Sequence, residues 1–366
     1  MELTVFTLTM TVFWVSIFVI TISYLRKQMA ALKCFSIYPL LLLLMLCILR
    51  VIFPLGLPFT ILIESEKILP LIQHFLCTPF TNVYGMDITI FHLILGIWIL
   101  GATVISVLQI NASLHFRHIV DLLPVSKDKR LYDILDKANS GKLKTVDIKI
   151  HKNFRSPAVM GFFHPVILLP EIEFNDDQLF GIFVHEVSHF RFRHQIIKLI
   201  AECIRVFFWW NPIFHALSGE VAHALEMHAD KMVYTRLAPN QRIEYCRGIT
   251  KVLENISQKS YPSLYGCSLV EESDGDKLTQ RFKMMLNNGY QNSKKFPLLM
   301  ILLILAVFVL SYSFVIQPHS EPTSEFYDSG TITSYDGNTY NFVRTENGYE
   351  LYDASGQFIG ITEIED

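Results

Sequence analysis

The segment His185-Glu186-Val187-Ser188-His189 contains two histidines four residues apart, with a glutamate beside the first. On a helix, positions i and i+4 share one face, so both imidazoles can reach a single metal ion. Glu186 can then take a proton from water, as the base of a metal-assisted hydrolysis. The alternative is two buried histidines without a metal. The pattern predicts a metal site at His185 and His189 with Glu186 as catalytic base.

A catalytic zinc ion needs a third protein ligand and one open coordination position. A third histidine six residues after His189 would supply it, but that residue is Gln195. A glutamate from a later helix is another solution, and Glu226 fits it because Asp230 lies one turn further on. Asp230 is expected to accept a hydrogen bond from a ligand histidine and to fix its tautomer. The predicted site is therefore Zn²⁺ bound by His185, His189 and Glu226.

Three further histidines lie close to these residues in the sequence. His223 and His228 share a predicted helix with Glu226 and are alternative third ligands, but neither has a carboxylate four residues on, as Glu226 has in Asp230. We interpret both as surface or interfacial residues. His194 follows Arg191 and Arg193, and we interpret it as part of a solvated or headgroup-facing basic end of the first helix.

The helix that carries the two histidines has its own start signal. Asn175 is a favourable N-cap and Gln178 occupies the capping-box position, so a helix is predicted from there to about residue 193. Residues 197–217 are apolar, but Glu202, Arg205 and Asn211-Pro212 interrupt them. A single crossing there would separate the predicted ligands by the membrane. We therefore predict a buried or membrane-surface helix.

Other segments are predicted from periodicity and turn residues. We expect helices over 116–139 and 213–236, and further helical segments to about 287 with a loop near 261–275. We also expect strands over 145–150 and 158–169, the second interrupted at His164-Pro165, and a β meander over 331–361.

The composition indicates a membrane protein, since 51% of the residues are hydrophobic and 18% are charged. Four apolar windows, about 4–25, 37–57, 88–110 and 296–316, approach the roughly 20 residues that a spanning helix needs. Basic residues after the first window and before the fourth orient the chain. The predicted domains are a membrane region (1–110), a cytoplasmic zinc metallopeptidase domain (111–295), a fourth span (296–316) and an extracellular tail (317–366).

This arrangement predicts a fold class and a location. The fold is an α-helical membrane protein with a cytoplasmic α+β gluzincin-like domain and a small C-terminal β meander. The location is the plasma membrane, multi-pass, with the N-terminus and tail outside. From Glu321 onward the tail has ten acidic residues and one base, which argues against direct nucleic-acid binding.

Several motifs together resemble the BlaR/MecR-type integral-membrane zinc metallopeptidases. They are HEVSHFRFRH, the sequence Trp209-Trp210-Asn211-Pro212, the Glu226–Asp230 pair, and the segments 156–170 and 281–286. The resemblance covers about residues 1 to 316. It implies a zinc domain that faces the cytosol, an external signal that activates proteolysis, and a protein or peptide substrate such as a cytoplasmic winged-helix repressor.

The sequence departs from this family's antirepressor members in its tail. About 50 residues stand where those members have a penicillin-binding sensor domain, and they contain no SxxK motif, so β-lactam sensing is not expected. Two alternative functions remain open: a quality-control protease similar to the CAAX-protease-like type, and a non-catalytic transmembrane sensor. A homodimer is also compatible with the sequence.

Overall fold

The computed structural model describes residues 5–28, 37–54, 56, 58, 60–65, 67–83, 86–139, 146–258, 275–287, 289–290, 297–318, 329–333, 339–345, 348–353 and 357–362. Its helices are α1 (Val5–Lys27), α2 (Tyr38–Ile52), α3 (Ile68–Cys77), α4 (Ile90–Leu122), α5 (Lys129–Asn139), α6 (Asp176–Arg191), α7 (His194–Phe207), α8 (Pro212–Arg236), α9 (Pro239–Gln258), α10 (Gly275–Leu286) and α11 (Pro297–Leu310). Its strands are β1 (Ile61–Ser65), β2 (Pro79–Val83), β3 (Met86–Thr89), β4 (Asp147–His151), β5 (Ala158–Met160), β6 (Val166–Pro170), β7 (Phe314–Pro318), β8 (Ser329–Thr333), β9 (Thr339–Thr345), β10 (Gly348–Tyr352) and β11 (Phe358–Thr362).

The chain divides into two compact units. One contains Met1–Ile61 and Phe91–Val315, and the other contains Leu62–Ile90 and Ile316–Asp366. In the second unit, β8 to β11 form a four-stranded antiparallel sheet in sequence order, so the predicted meander is present. The loop predicted near 261–275 lies almost wholly outside the described residues.

Two helices are long and apolar enough to cross a bilayer: residues Phe6–Lys27 of α1 and the 33-residue α4. The other two predicted windows contain α2 and α11, which have 15 and 14 residues. The fold is thus mostly helical with two candidate membrane helices among the described residues. The arrangement with four spans stays a prediction.

The helix predicted over 116–139 is in fact two helices, so this prediction was wrong. The apolar helix α4 continues to Leu122, and α5 begins only at Lys129. Pro124 explains the break, because proline disfavours helical backbone at the residue before it and cannot donate an intrahelical hydrogen bond. Asp128 then accepts a hydrogen bond from the Arg130 N–H at 2.9 Å and starts the second helix.

A small mixed sheet packs beside α6 in the order β4-β6-β5. β4 is parallel to β6, whereas β5 is antiparallel to it and forms an edge. The strand predicted over 158–169 is divided because the backbone of Gly161 has φ of +96°, a value that residues with a Cβ rarely adopt. A Cβ at this position would lie 2.2 Å from the His164 carbonyl oxygen.

The capping signal at the start of α6 forms as predicted. The Asn175 side chain accepts from the Gln178 N–H at 2.8 Å, and the Gln178 side chain accepts from the Asn175 N–H at 3.2 Å. The whole stretch from Gln178 to Phe190, apart from Phe180, is buried, so α6 is a central helix of its unit.

Replacing Asn175 with Ala is expected to lower the free energy of unfolding by about 1 kcal/mol, because it removes the cap of α6. The Asn175 amide also donates to Glu244 at 2.8 Å, and that bond is lost too. Thermal unfolding in detergent measures the effect. Glu173→Gln, two residues before the cap, changes an exposed carboxylate outside the helix and is the control; an equal loss in both variants would contradict this role.

Candidate metal centre

Two helices bring the three predicted ligands together. α6 supplies His185 and His189 on one face, and α8 supplies Glu226. The two Nε2 atoms are 3.1 Å apart. Glu226 lies 3.1 Å from His185 Nε2 through Oε2 and 3.4 Å from His189 Nε2 through Oε1. All three residues are buried, and they form a group that could hold a metal ion.

These separations fit a tetrahedral metal site. Bonds of about 2.0–2.1 Å to a tetrahedral ion place neighbouring ligand atoms about 3.3 Å apart. The observed donor-to-donor distances of 3.1 to 3.4 Å match this value. Two imidazoles and one carboxylate are also a common ligand set of catalytic zinc. The residues present therefore fit a divalent metal ion.

Asp230 contacts Nδ1 of His185, the ring nitrogen that does not face Glu226. Its Oδ1 atom lies 3.1 Å from His185 Nδ1 and accepts from the Tyr245 hydroxyl at 2.8 Å. Arg281 donates to both carboxylate oxygens, at 2.7 and 3.0 Å. Burial raises the Asp230 pKa, but Arg281 and His185 outweigh it and hold that pKa well below its usual value. The carboxylate is thus charged and fixes Nε2 of His185 toward the site.

Two cations compensate the charge of Glu226. Lys198 Nζ lies 3.0 Å from Oε1, and Arg281 NH1 lies 3.5 Å from Oε2. Burial raises the pKa of Glu226, yet Lys198 and the neighbouring imidazoles lower it well below the usual range. Glu226 is therefore ionised, as a metal ligand must be.

Glu186 is buried beside these ligands, and its Oε1 atom has no hydrogen-bond partner within the protein. Burial raises the pKa of this carboxyl to about 7. A small cavity of about 30 Å³ borders Glu186 and His185, with Ile182, Ile249 and Val252 among its walls. A carboxyl that has one free oxygen and a raised pKa is suited to exchange protons with a molecule in that cavity.

The second ligand leads into a row of imidazoles. His194 Nδ1 lies 3.0 Å from His189 Nδ1, and His194 Nε2 lies 3.0 Å from His228 Nδ1. With Nε2 of His189 reserved for a metal, its Nδ1–H must donate to His194, and His194 Nε2–H must donate to His228. Burial lowers the pKa of His194 to about 2, which agrees with a neutral ring.

The interpretation of three histidines from sequence was wrong. His194 is 2% exposed and is not part of a solvated basic end, although Arg191 and Arg193 are exposed. His223 and His228 are also buried rather than at the surface. The three side chains are covered because α7 and α8 fold back on α6 and on the polar end of α1.

His194→Ala is expected to weaken metal binding about 10–100-fold, because the His189 ring loses the partner that fixes its tautomer. Competition with a chelator of known affinity measures this change. His215→Ala, on an exposed imidazole of α8, is the matched control and should leave metal affinity unchanged. Equal metal affinity in the His194 variant and the wild type would remove this positioning role.

Several residues at the site were missed from sequence. Tyr245 and Lys198 carry no motif signal, and Arg281 entered only through a resemblance. The Tyr245 ring packs on Gly181, where a Cβ would lie 2.8 Å from it. Isolated polar residues on otherwise apolar faces of α7, α9 and α10 are the signal that could have found them.

Comparison with known proteins shows the family to which the chain belongs. The BlaR1 peptidase M56 family model matches residues 3–286. The regulatory protein BlaR1 of Staphylococcus aureus is 23% identical over 269 residues, covering 72% of this chain and 42% of that protein. The methicillin resistance mecR1 protein of S. aureus strain Mu50 is 25% identical over 167 residues, covering 44% and 28%.

A third relative, the regulatory protein BlaR1 of Bacillus licheniformis, is 23% identical over 166 residues, or 43% of this chain and 27% of that protein. The chain spans less than half of the length of each of these relatives. The family match covers most of the chain, including every residue of the metal centre. The chain therefore belongs to the BlaR1 peptidase M56 family.

Proposed function

We propose that this protein is a membrane-embedded zinc metalloendopeptidase. The observation that carries the proposal is the set of three side chains whose donor atoms have tetrahedral spacing, beside the buried Glu186, whose Oε1 atom has no hydrogen-bond partner within the protein. A structural zinc site would fill its fourth position with another protein ligand, whereas a hydrolytic site keeps it open. His185, His189 and Glu226 are the proposed ligands. Asp230 orients His185 through its Nδ1 atom.

Each residue has a distinct role in this mechanism. The bound ion would polarise the scissile carbonyl and make water more acidic. Glu186 takes the proton of the attacking water and passes it to the leaving amine, for which a pKa of about 7 is suitable. Asp230 keeps His185 in the tautomer that presents Nε2, and the His194 row does so for His189.

The edge strand β5 is the proposed place for an extended substrate. Its Val159 backbone lies against Glu186, and its carbonyl accepts from Gln195 at 2.8 Å. A substrate backbone would replace Gln195 there and extend the sheet, a common way to hold peptides. The apolar cavity next to Glu186 favours an aliphatic side chain beside the scissile bond.

The proposed setting is a four-span protein in which the metal centre faces the cytosol. An external signal would activate cleavage of a cytoplasmic regulatory protein, such as a winged-helix repressor. The names of the relatives, a regulatory protein and a methicillin resistance protein, support a role in signalling. The meander formed by β8 to β11 is a candidate receiver of that signal.

Metal removal tests the proposal directly. The full chain, purified in detergent and placed in lipid nanodiscs, is expected to contain one zinc ion and to cleave a peptide library. Phenanthroline should abolish cleavage, and added zinc should restore it, whereas the non-chelating isomer of phenanthroline has no effect. Stoichiometric zinc without any metal-dependent cleavage would favour a non-catalytic transmembrane sensor.

A further inference from the structure

The hairpin formed by α7 and α8 contacts the membrane-length helix α4 through side chains at two places. Gln109 of α4 donates to Glu202 of α7 at 2.9 Å. Further along, Trp98 Nε1–H donates to the Phe207 carbonyl, and Trp209 Nε1–H donates to the Trp98 carbonyl at 3.2 Å. From Gln109 to Trp98 the axis of α4 runs about 16 Å. The hairpin therefore touches α4 at the end of its apolar window and again near the middle of that window.

Close packing joins the tip of the hairpin to this middle section. A Cβ added at Gly101 would lie 2.5 Å from the Trp209 ring, so the ring occupies the space that a side chain would take. Gly96, in the same helix, has open space around it. Glycine at 101 is thus required by the indole that rests on it.

The turn at the tip satisfies its backbone within the protein. The carbonyl of Phe207 accepts from Trp98, that of Phe208 from the Asn211 N–H at 2.9 Å, and that of Trp209 from His215 Nε2–H at 2.9 Å. The Asn211 side chain also caps the Ile213 N–H at 3.0 Å. Backbone groups need such internal partners where no water is available.

The outer surface of the hairpin and of α4 is apolar. Phe207 and Trp210 at the tip are 51% and 55% exposed. The 18-residue apolar window of α4 has no buried residue, and large aliphatic side chains such as Leu100 and Val104 face outward. A continuous apolar surface of this kind is unstable in water and is suited to lipid chains.

We infer that the α7–α8 hairpin is a re-entrant membrane element, whose tip from Phe207 to Asn211 inserts among the lipid chains against α4. This inference depends on the proposal that α4 spans the membrane. It differs from the sequence-based expectation that residues 197–217 form a buried or membrane-surface helix. The rise of α7 from Glu202 to Phe207 and that of α4 from Gln109 to Gly101 place the tip about 8–12 Å deep. Glu226 lies about 22 Å along α8 from the tip, so the metal centre is within about 14 Å of the membrane surface, close to peptide bonds that flank a membrane anchor.

Spin labelling measures the depth of the tip. The six cysteines are replaced by Ser, Trp210→Cys carries a nitroxide, and the full chain is reconstituted in phosphatidylcholine vesicles. Val104→Cys serves as the lipid-facing reference and Lys137→Cys, on α5, as the aqueous one. At position 210, collisions with oxygen should dominate those with a water-soluble nickel complex, as at 104. Accessibility to nickel equal to that at 137 would overturn the inference. Protection of the label from both oxygen and nickel would mean that protein covers the tip, for example a second copy, and would also overturn the inference.

Two further measurements test the depth of Trp210 and the role of α4. In the native-cysteine chain, lipids brominated in the middle of the acyl chain should quench the tryptophan fluorescence of the wild type more than that of Trp210→Phe. Gly101→Leu should move the label toward the surface, whereas Gly96→Leu should not; the same depth in both would exclude α4 as the partner.

Discussion

Replacing Glu186 with Gln is expected to abolish peptide cleavage, by a factor of at least about 10²–10⁴, while zinc content stays at the wild-type level. Gln has nearly the same shape, but its amide cannot accept the proton of the attacking water. The metal is retained because Glu186 contributes no ligand atom: the donor group consists of His185, His189 and Glu226. Cleavage rates and metal analysis of the same preparation measure both effects.

The matched control is Glu173→Gln, which neutralises an exposed carboxylate shortly before the N-cap of α6. It should retain both zinc and activity. The pair of variants also identifies the substrate, because a protein cut in cells with wild type and Glu173→Gln but intact with Glu186→Gln is a direct target. Continued cleavage by Glu186→Gln would remove the proposed base, even if the metal site is correct.

The grouping of His185, His189 and Glu226 could be predicted from the sequence because its signals are local. The capping box at Asn175 sets the start of α6, and the helical period then places His185 and His189 on one face. The Glu226–Asp230 spacing repeats the same argument on α8. The sequence does not show which face of α8 packs against α6. The structure shows that it is the face with Glu226 and Asp230, since both contact His185.

The misinterpreted histidines show the limit of such local reasoning. His194 follows two exposed arginines, so its neighbours in sequence suggested a solvated position. The backbone of Arg193 has φ of 56°, however, and this left-handed residue turns the chain so that α7 departs from α6 in a new direction. His194 is thereby directed inward to His189. Chain reversals of this kind depend on tertiary packing and were not visible in the pattern.

A second polar cluster connects the metal centre to the end of α1. Arg26 donates to Glu220 of α8 at 2.7 Å, and Gln280 of α10 donates to the Arg26 carbonyl. Gln280 also lies 3.1 Å from His223. The next residue, Arg281, holds Asp230 and approaches Glu226. The helix α10 thus contacts both the end of a candidate membrane helix and the residues that support the ligands.

Arg281→Met is expected to lower the stability of the metal-binding unit by about 3–5 kcal/mol, since it leaves a buried carboxylate without its cation. Arg281 is 6% exposed and Asp230 is 1% exposed, so water cannot replace the lost bonds. Metal binding should weaken as well, because Asp230 no longer holds His185 firmly. Thermal unfolding in detergent, with and without added zinc, measures both losses.

Companion variants separate charge from packing in this prediction. Lys283→Met removes an exposed cation from the same helix and should have little effect. Combining Arg281→Met with Asp230→Asn removes both buried charges, so the double variant should lose less stability than the sum of the two single losses. Strict additivity would show that the pair does not interact in the folded protein.

Arg281→Lys keeps the charge without the bidentate contact. It should be more stable than Arg281→Met but less stable than the wild type, because lysine cannot bind both Asp230 oxygens in the same plane.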